Sequence, residues 1–151
     1  MESIRTTSGT RSSDAGVLSD RSGARLGFSR GWGVLTDEEI LAHAKVLRAD
    51  ARLTPRLRQV ADFRDVTKLD VTSEGVRRAA ENNPFGPDAR RSFVAPLDET
   101  LGMLRMFGIY MNADTSQFRI FRTLEPAMEW IGLDPATLWP VQKPDATFGE
   151  P

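Results

Sequence analysis

Residues 58–96 read RQVADFRDVTKLDVTSEGVRRAAENNPFGPDARRSFVAP, and this stretch decides the fold. Arg58 to Phe63 is a compact apolar run with Asp62 and Asp65 at its end, which predicts a short strand followed by a loop. Thr72 is a good N-cap for a helix whose Val76, Ala79 and Ala80 follow the i, i+3, i+4 pattern. Asn82-Asn83-Pro84 stops that helix, and Phe85-Gly86-Pro87 reads as loop. Arg91 to Pro96 then predicts a second strand. A strand, a helix and a strand in this span imply parallel neighbours joined by a right-handed crossover.

The same alternation continues outward in both directions. Upstream, Thr36-Asp37-Glu38-Glu39 is a capping box ahead of a helix with Ile40, Leu41, Ala44 and Leu47 on one face. Before it, Ala24 to Leu35 is extended, with Leu26, Phe28, Trp32 and Val34 at even spacings and a bulge expected near Gly31. Asp20-Arg21-Ser22-Gly23 predicts a turn back to a short first strand over Gly16 to Ser19. Downstream, a helix is expected from Asp98 to about Met111 and a strand over Gln117 to Arg122. Thr123 caps a last helix with Ala127, Trp130 and Ile131 on its buried edge and Gly132 at its end. The order ββαβαβαβα predicts an α/β fold, with a mixed, mainly parallel sheet of four or five strands and about four helices. Residues 1–15 are expected to be a disordered segment, 16–133 the domain, and 134–151 a Pro-rich tail in which Leu138 and Trp139 are able to dock.

Composition narrows the chemistry. The chain has 151 residues, no cysteine and a single histidine, His43, which excludes disulfides, thiolate metal sites and cysteine nucleophiles. A Ser-His-Asp triad or a histidine-rich zinc site would have to use His43, and no partner motif surrounds it. It sits beside the apolar edge of its helix, where a partly exposed packing or solvent residue is expected. Twenty basic and 21 acidic residues are interspersed, without the clustered positive face that nucleic acid requires. No apolar run approaches the roughly 18 residues of a membrane span, and the first 15 residues lack an apolar leader core. A cytoplasmic location is the resulting expectation, with no cofactor.

Two constellations carry the candidate sites. Asp62, Asp65 and Asp70 cluster in the sequence around a strand's carboxyl end, where α/β folds tend to bind ligands. They have the oxygen chemistry of a Mg²⁺ site, but turn capping and pairing with Arg64 or Lys68 explain them without a metal. No phosphate-binding glycine loop accompanies them, and Gly31-x-Gly33 is too short for a dinucleotide fingerprint. The helix over 98–111 is the second. Its Leu101, Met103, Leu104, Met106, Phe107, Tyr110 and Met111 cover an arc of roughly 220°, wider than contact with one sheet requires. The excess packs on a neighbouring helix or the tail, forms a homodimer face, or lines a pocket for an apolar ligand. Arg105 lies in the gap of this arc, positioned to pair with an acid or to bind an anion.

Asp62 to Gly75, DFRDVTKLDVTSEG, resembles the STAS-domain segment in which a strand ends in D-L-S-x-V-T and continues into D-S-S-G. The likeness extends over most of residues 24–133 to a divergent bacterial SpoIIAA-like group, related to the lipid-binding half of CRAL-TRIO domains. Ala95-Pro96 at a strand end, Gly102-Met103-Leu104-Arg105-Met106-Phe107, and the run from Ile120-Phe121-Arg122 to Trp130-Ile131-Gly132 are similar to that group's later motifs. The resemblance implies the fold more than an activity. In anti-anti-sigma factors the serine after the aspartate accepts phosphate. Matching Asp70 to that aspartate puts Val71 at the acceptor, with Thr72 and Ser73 one and two residues later. The expectation is therefore a non-enzymatic interaction or regulatory module without that phospho-switch, working through a homodimer or a regulatory protein. Its alternative is a carrier of a small apolar, lipid-like molecule, and an enzyme using the three aspartates with a metal ranks last.

Overall fold

The computed structural model describes residues 13–20 and 22–134. Residues 1–12 of the expected disordered segment and most of the expected tail, with Leu138 and Trp139, lie outside the described residues. Ser13 to Ala15, also expected to be disordered, are held in a strand by antiparallel pairing with the next strand. The elements run β1 (Ser13–Ser19), β2 (Arg25–Thr36), α1 (Asp37–Ala49), β3 (Gln59–Asp70), α2 (Ser73–Asn82), β4 (Arg91–Val94), α3 (Asp98–Tyr110), β5 (Phe118–Phe121) and α4 (Leu124–Ile131). The five strands form one sheet in the order β1-β2-β3-β4-β5. β1 pairs antiparallel with β2, and every other pairing is parallel.

This strand order dictates the layers. Three successive crossovers of the same hand, all stepping in one direction, put α1, α2 and α3 on one face of the sheet. That face holds Ala61 and Phe93 of the strands against Val76 of α2 and Met103 and Leu104 of α3. α4 crosses the other face, where its Met128 and Ile131 meet Leu26, Phe28 and Val60. Strand residues of alternate parity thus serve two cores, as expected when a parallel sheet is covered on both sides.

Local chemistry sets the helix ends. Thr36 Oγ1 accepts from Glu39 N at 3.2 Å and Thr72 Oγ1 from Gly75 N at 3.1 Å, so both threonines cap as their sequence context predicts. Thr123 has cap geometry at α4 but makes no side-chain cap bond. Gly132 ends α4 at φ 96°, a left-handed conformation suited to glycine. Arg58 donates to the Ile131 carbonyl there at 2.6 Å and to Asp20 at 2.8 Å, tying α4 to the β1–β2 turn.

Several boundaries differ from those the sequence predicts. β1 starts at Ser13, three residues before the expected strand. β2 shifts register between Arg30 and Trp32 and again between Gly33 and Val34, which places the expected bulge at Gly31. It also breaks the even-numbered face: Leu26 is fully buried, whereas Val34 is exposed. The largest difference is β3, which runs on to Asp70 instead of stopping near Phe63. Beyond Asp62 it pairs only with β2, out to Thr36 opposite Asp70, as a two-stranded extension past β4 and β5.

Candidate functional site

The length of β3 separates the three aspartates. Asp62 is buried within the strand and chelated by Arg64, whose Nε and Nη2 donate to it at 2.9 to 3.1 Å. Asp65 accepts from Arg30 Nη2 at 2.8 Å on the neighbouring strand. Asp70 is exposed at the far end, opposite Thr36. Strung along 12 residues of strand and turned to different partners, they do not converge on one point. No group of three or more acidic, histidine or cysteine side chains among the described residues is placed to hold a metal ion.

The loop after Asp70 is occupied from within. Asp37, the first residue of α1, accepts from Thr72 N at 2.8 Å and from the Thr72 hydroxyl at 2.6 Å. Its carboxylate therefore sits at the N-terminus of α2, where peptide N–H groups and the helix dipole favour an anion. Gly75 makes room for it, since a β-carbon there would overlap the Asp37 carboxylate. Val71 is half-buried on the α1–α3 core, and Ser73 is exposed as the first residue of α2.

α3 divides its wide apolar arc between interior and surface. Met103 and Leu104 are buried, and Met106 and Phe107 pack half-buried on the same core. Arg105 is exposed and makes no ion pair among the described residues. Tyr110 and the neighbouring Ile109 reach the surface, 43% and 77% exposed.

Met103, Leu104 and Phe107 face a cavity of about 90 Å³ between the sheet and α1–α3. Its walls are mostly apolar, completed by Leu35, Ile40, Ala61, Phe63, Val76 and Phe93. Against them runs a polar ladder across three strands and one helix: Arg91 on β4, Gln59 on β3, Ser29 on β2 and His43 on α1. Gln59 and Arg91 are paired positions on adjacent strands, so their side chains emerge side by side. Arg91 Nε donates to Gln59 Oε1 at 2.8 Å, and Gln59 Nε2 donates to Ser29 Oγ at 2.9 Å. An arginine has no acceptor, so the Gln59 oxygen must face it and the amide NH₂ must face Ser29. Ser29 Oγ lies 3.0 Å from His43 Nε2. Burial drives the His43 pKa down to about 4, slightly opposed by the charge of Asp14, so the ring is neutral at pH 7. The Ser29 hydroxyl, already accepting from Gln59, is then placed to donate to Nε2, which puts the ring proton on Nδ1.

Arg91 is 3% exposed and has no carboxylate within ion-pair distance among the described residues. Its Nη1 contacts Met111 Sδ at 2.8 Å, and Nη2 meets no acceptor there. The rings of Phe85, Phe93, Phe107 and Phe118 stand 4.8 to 5.7 Å from its guanidinium carbon. Their π-faces offset part of the desolvation cost of a buried cation. Burial lowers its pKa to about 9, which leaves it charged at pH 7. Arg30 is a contrast: equally buried, it is matched by Asp65 and lies 4.8 Å from the Trp32 ring, though its Nη1 is unpartnered. Glu39, in the first turn of α1, is the carboxylate among the described lining residues.

The sequence reading missed this ladder. Ser29, Gln59 and Arg91 read as ordinary strand residues, and His43, expected as a partly exposed packing or solvent residue, is half-buried with its ring bonded to Ser29. One local signal was available: charged or amide side chains within strands that helices cover on both faces are uncommon unless they are partnered.

A solved structure from Shewanella loihica PV-4, described as an uncharacterized protein of the DUF3478 family with a SpoIIAA-like fold, is similar to this chain. The TM-score is 0.55 at 14% identity, covering 83% of this chain and 98% of that one. No protein-family model matches the chain, and no curated protein matches it. The chain is thus an α/β domain with a SpoIIAA-like fold, as the motif resemblance implied. No helix among the described residues is long and apolar enough to cross a membrane.

Proposed function

We propose that this domain is a non-enzymatic binding module that holds a small, largely apolar molecule in the cavity beneath α1, α2 and α3. One observation carries the reading: Met103, Leu104 and Phe107 of α3 turn toward a cavity of about 90 Å³ rather than toward solvent. Native interiors pack at crystal-like density, with few voids larger than a water molecule, and apolar voids of this order take up small apolar guests. A binding role is favoured over catalysis because Asp62 and Asp65 are each engaged by an arginine and Asp70 stands apart from both. The phospho-switch is absent from this reading because Val71 occupies the acceptor position and Asp37 holds the Thr72 hydroxyl.

Methyl NMR on the full chain tests the cavity directly. Xenon or benzene should shift the methyl signals of Met103, Leu104 and Val76 while leaving exposed Val46 unmoved. Unchanged Met103 and Leu104 signals at saturating probe would count against the reading. A second reading, contact with a protein partner or a second copy, keeps the surface end of α3, where Ile109 and Tyr110 are exposed. It predicts concentration-dependent sedimentation that Tyr110→Glu abolishes.

A further inference from the structure

From Arg91 and its surroundings we infer that the guest is a short-chain monocarboxylate, bound with its head on the Arg91 guanidinium and its tail among the apolar walls. The inference rests on the binding reading above and adds the chemistry of the head group. Two observations and the chemistry of the guanidinium carry it. Arg91 is a cation 97% removed from solvent that lines the cavity, with no carboxylate in ion-pair range and Nη2 without an acceptor among the described residues. A guanidinium presents planar, parallel N–H donors that match a carboxylate, and an unpaired buried charge is costly until an anion joins it. Gln59 holds Nε from one side and the phenylalanine rings flank the group, so it is fixed in place before any ligand arrives.

Size and polarity narrow the class. At about 90 Å³, the cavity is smaller than the roughly 150 Å³ of an engineered apolar cavity that takes up benzene, which suits a short tail of a few carbons. The remaining walls, among them Ile40, Val76 and Leu104, offer apolar contact. The one further cation among the described lining residues, Arg30, has its charge matched by Asp65 through Nη2, while its Nη1 has no partner there. Glu39 and neutral His43 line the same space. A dianion such as phosphate or a dicarboxylate would place its second charge against apolar walls, near Glu39, or on an Arg30 whose charge Asp65 already matches, and is disfavoured.

Butyrate and 1-butanol have tails of the same length and differ in the charge of the head. Binding of each to the full-length protein is measured by titration calorimetry and by the shift of the Arg91 Nε–H signal in ¹⁵N NMR. Butyrate should bind about 10- to 100-fold more tightly than butanol, the range of one charge-assisted hydrogen bond, and should move the Arg91 signal. Arg91→Met should remove that advantage and leave butanol affinity unchanged. Equal affinities for the two probes, with the Arg91 signal unmoved, would overturn the head-group inference and leave the cavity reading standing. If xenon, benzene, butanol and butyrate all fail to bind, both readings fall together. Chloride or inorganic phosphate displacing butyrate at equal affinity would reduce the site to a small-anion site and overturn the monocarboxylate. Should Arg91→Met fail to fold, the wild-type comparison and its Arg91 signal still decide.

Discussion

Lowering the pH from 7 to 5 perturbs one titrating side chain in particular, because His43 is the only histidine in the chain. Its pKa falls from 6.5 in a free chain to about 4 in the folded state, chiefly through burial. Between those values the unfolded chain binds a proton that the native state refuses. Stability is therefore full above pH 6.5 and is lost as pH falls, until the native ring also protonates near pH 4. The linkage relation with these two pKa values gives a loss of about 2 kcal/mol between pH 7 and 5. Urea unfolding at both pH values checks it, with His43→Gln as the control that keeps a polar group near Ser29. Wild type should lose about 2 kcal/mol, and the variant should change by less than about 0.5 kcal/mol. The variant subtracts the contribution of the other titrating groups, and Asp20, held down to about 2 by Ser22 and Arg58, titrates far below 5. A single imidazole signal titrating near 6.5 in the folded protein would refute the reasoning, as would parallel losses in wild type and variant.

Three further outcomes are expected. Gly75→Ala should cost about 1–3 kcal/mol in chemical unfolding, because the added methyl displaces the Asp37 carboxylate, and much of that cost should vanish in an Asp37→Ala background. Gly132→Ala should cost about 1–2 kcal/mol in the same assay, since φ is 96° there and the new β-carbon would stand 2.8 Å from Arg58 Nη1. Mass spectrometry of protein from its native cells should find no stoichiometric phosphate on Thr72 or Ser73, because a phosphate on Thr72 would face the Asp37 carboxylate that its hydroxyl now engages.

The fold was legible where local chemistry repeats. Threonine caps before α1 and α2, the glycine after α4 and the alternation of apolar runs each act over a few residues, so the order of elements could be read directly. The end of β3 could not. Arg64, Thr67, Lys68 and Asp70 are exposed because the strand there borders only β2, and a polar strand held by one neighbour carries the composition of a loop. The cavity left no local trace either. Its polar ladder draws single residues from β2, α1, β3 and β4, and positions 29 and 91 are linked only through Gln59 on the strand between them. α3 was legible in part: an apolar arc wider than one sheet contact was visible, but the inward turn of Met103 and the outward turn of Tyr110 depend on α2 beside it.

The contrast between the two buried arginines bears most on function. Arg30 has a fold-level explanation, since Asp65 on the adjacent strand returns its charge and Trp32 covers it. Arg91 has none of comparable strength: Gln59 and a thioether are neutral acceptors, and the phenylalanine faces replace only part of the lost hydration. Well-packed apolar side chains at such a pair of strand positions usually match or exceed a buried ion pair in stability, and still more so an unpaired ion. Stability alone therefore does not account for arginine at position 91 beside glutamine at position 59. A bound anion does, because it would supply the missing charge where Nη2 has no acceptor. The phenylalanines then have a second use, holding the guanidinium in a dry setting in which one carboxylate is worth far more than it would be at the surface.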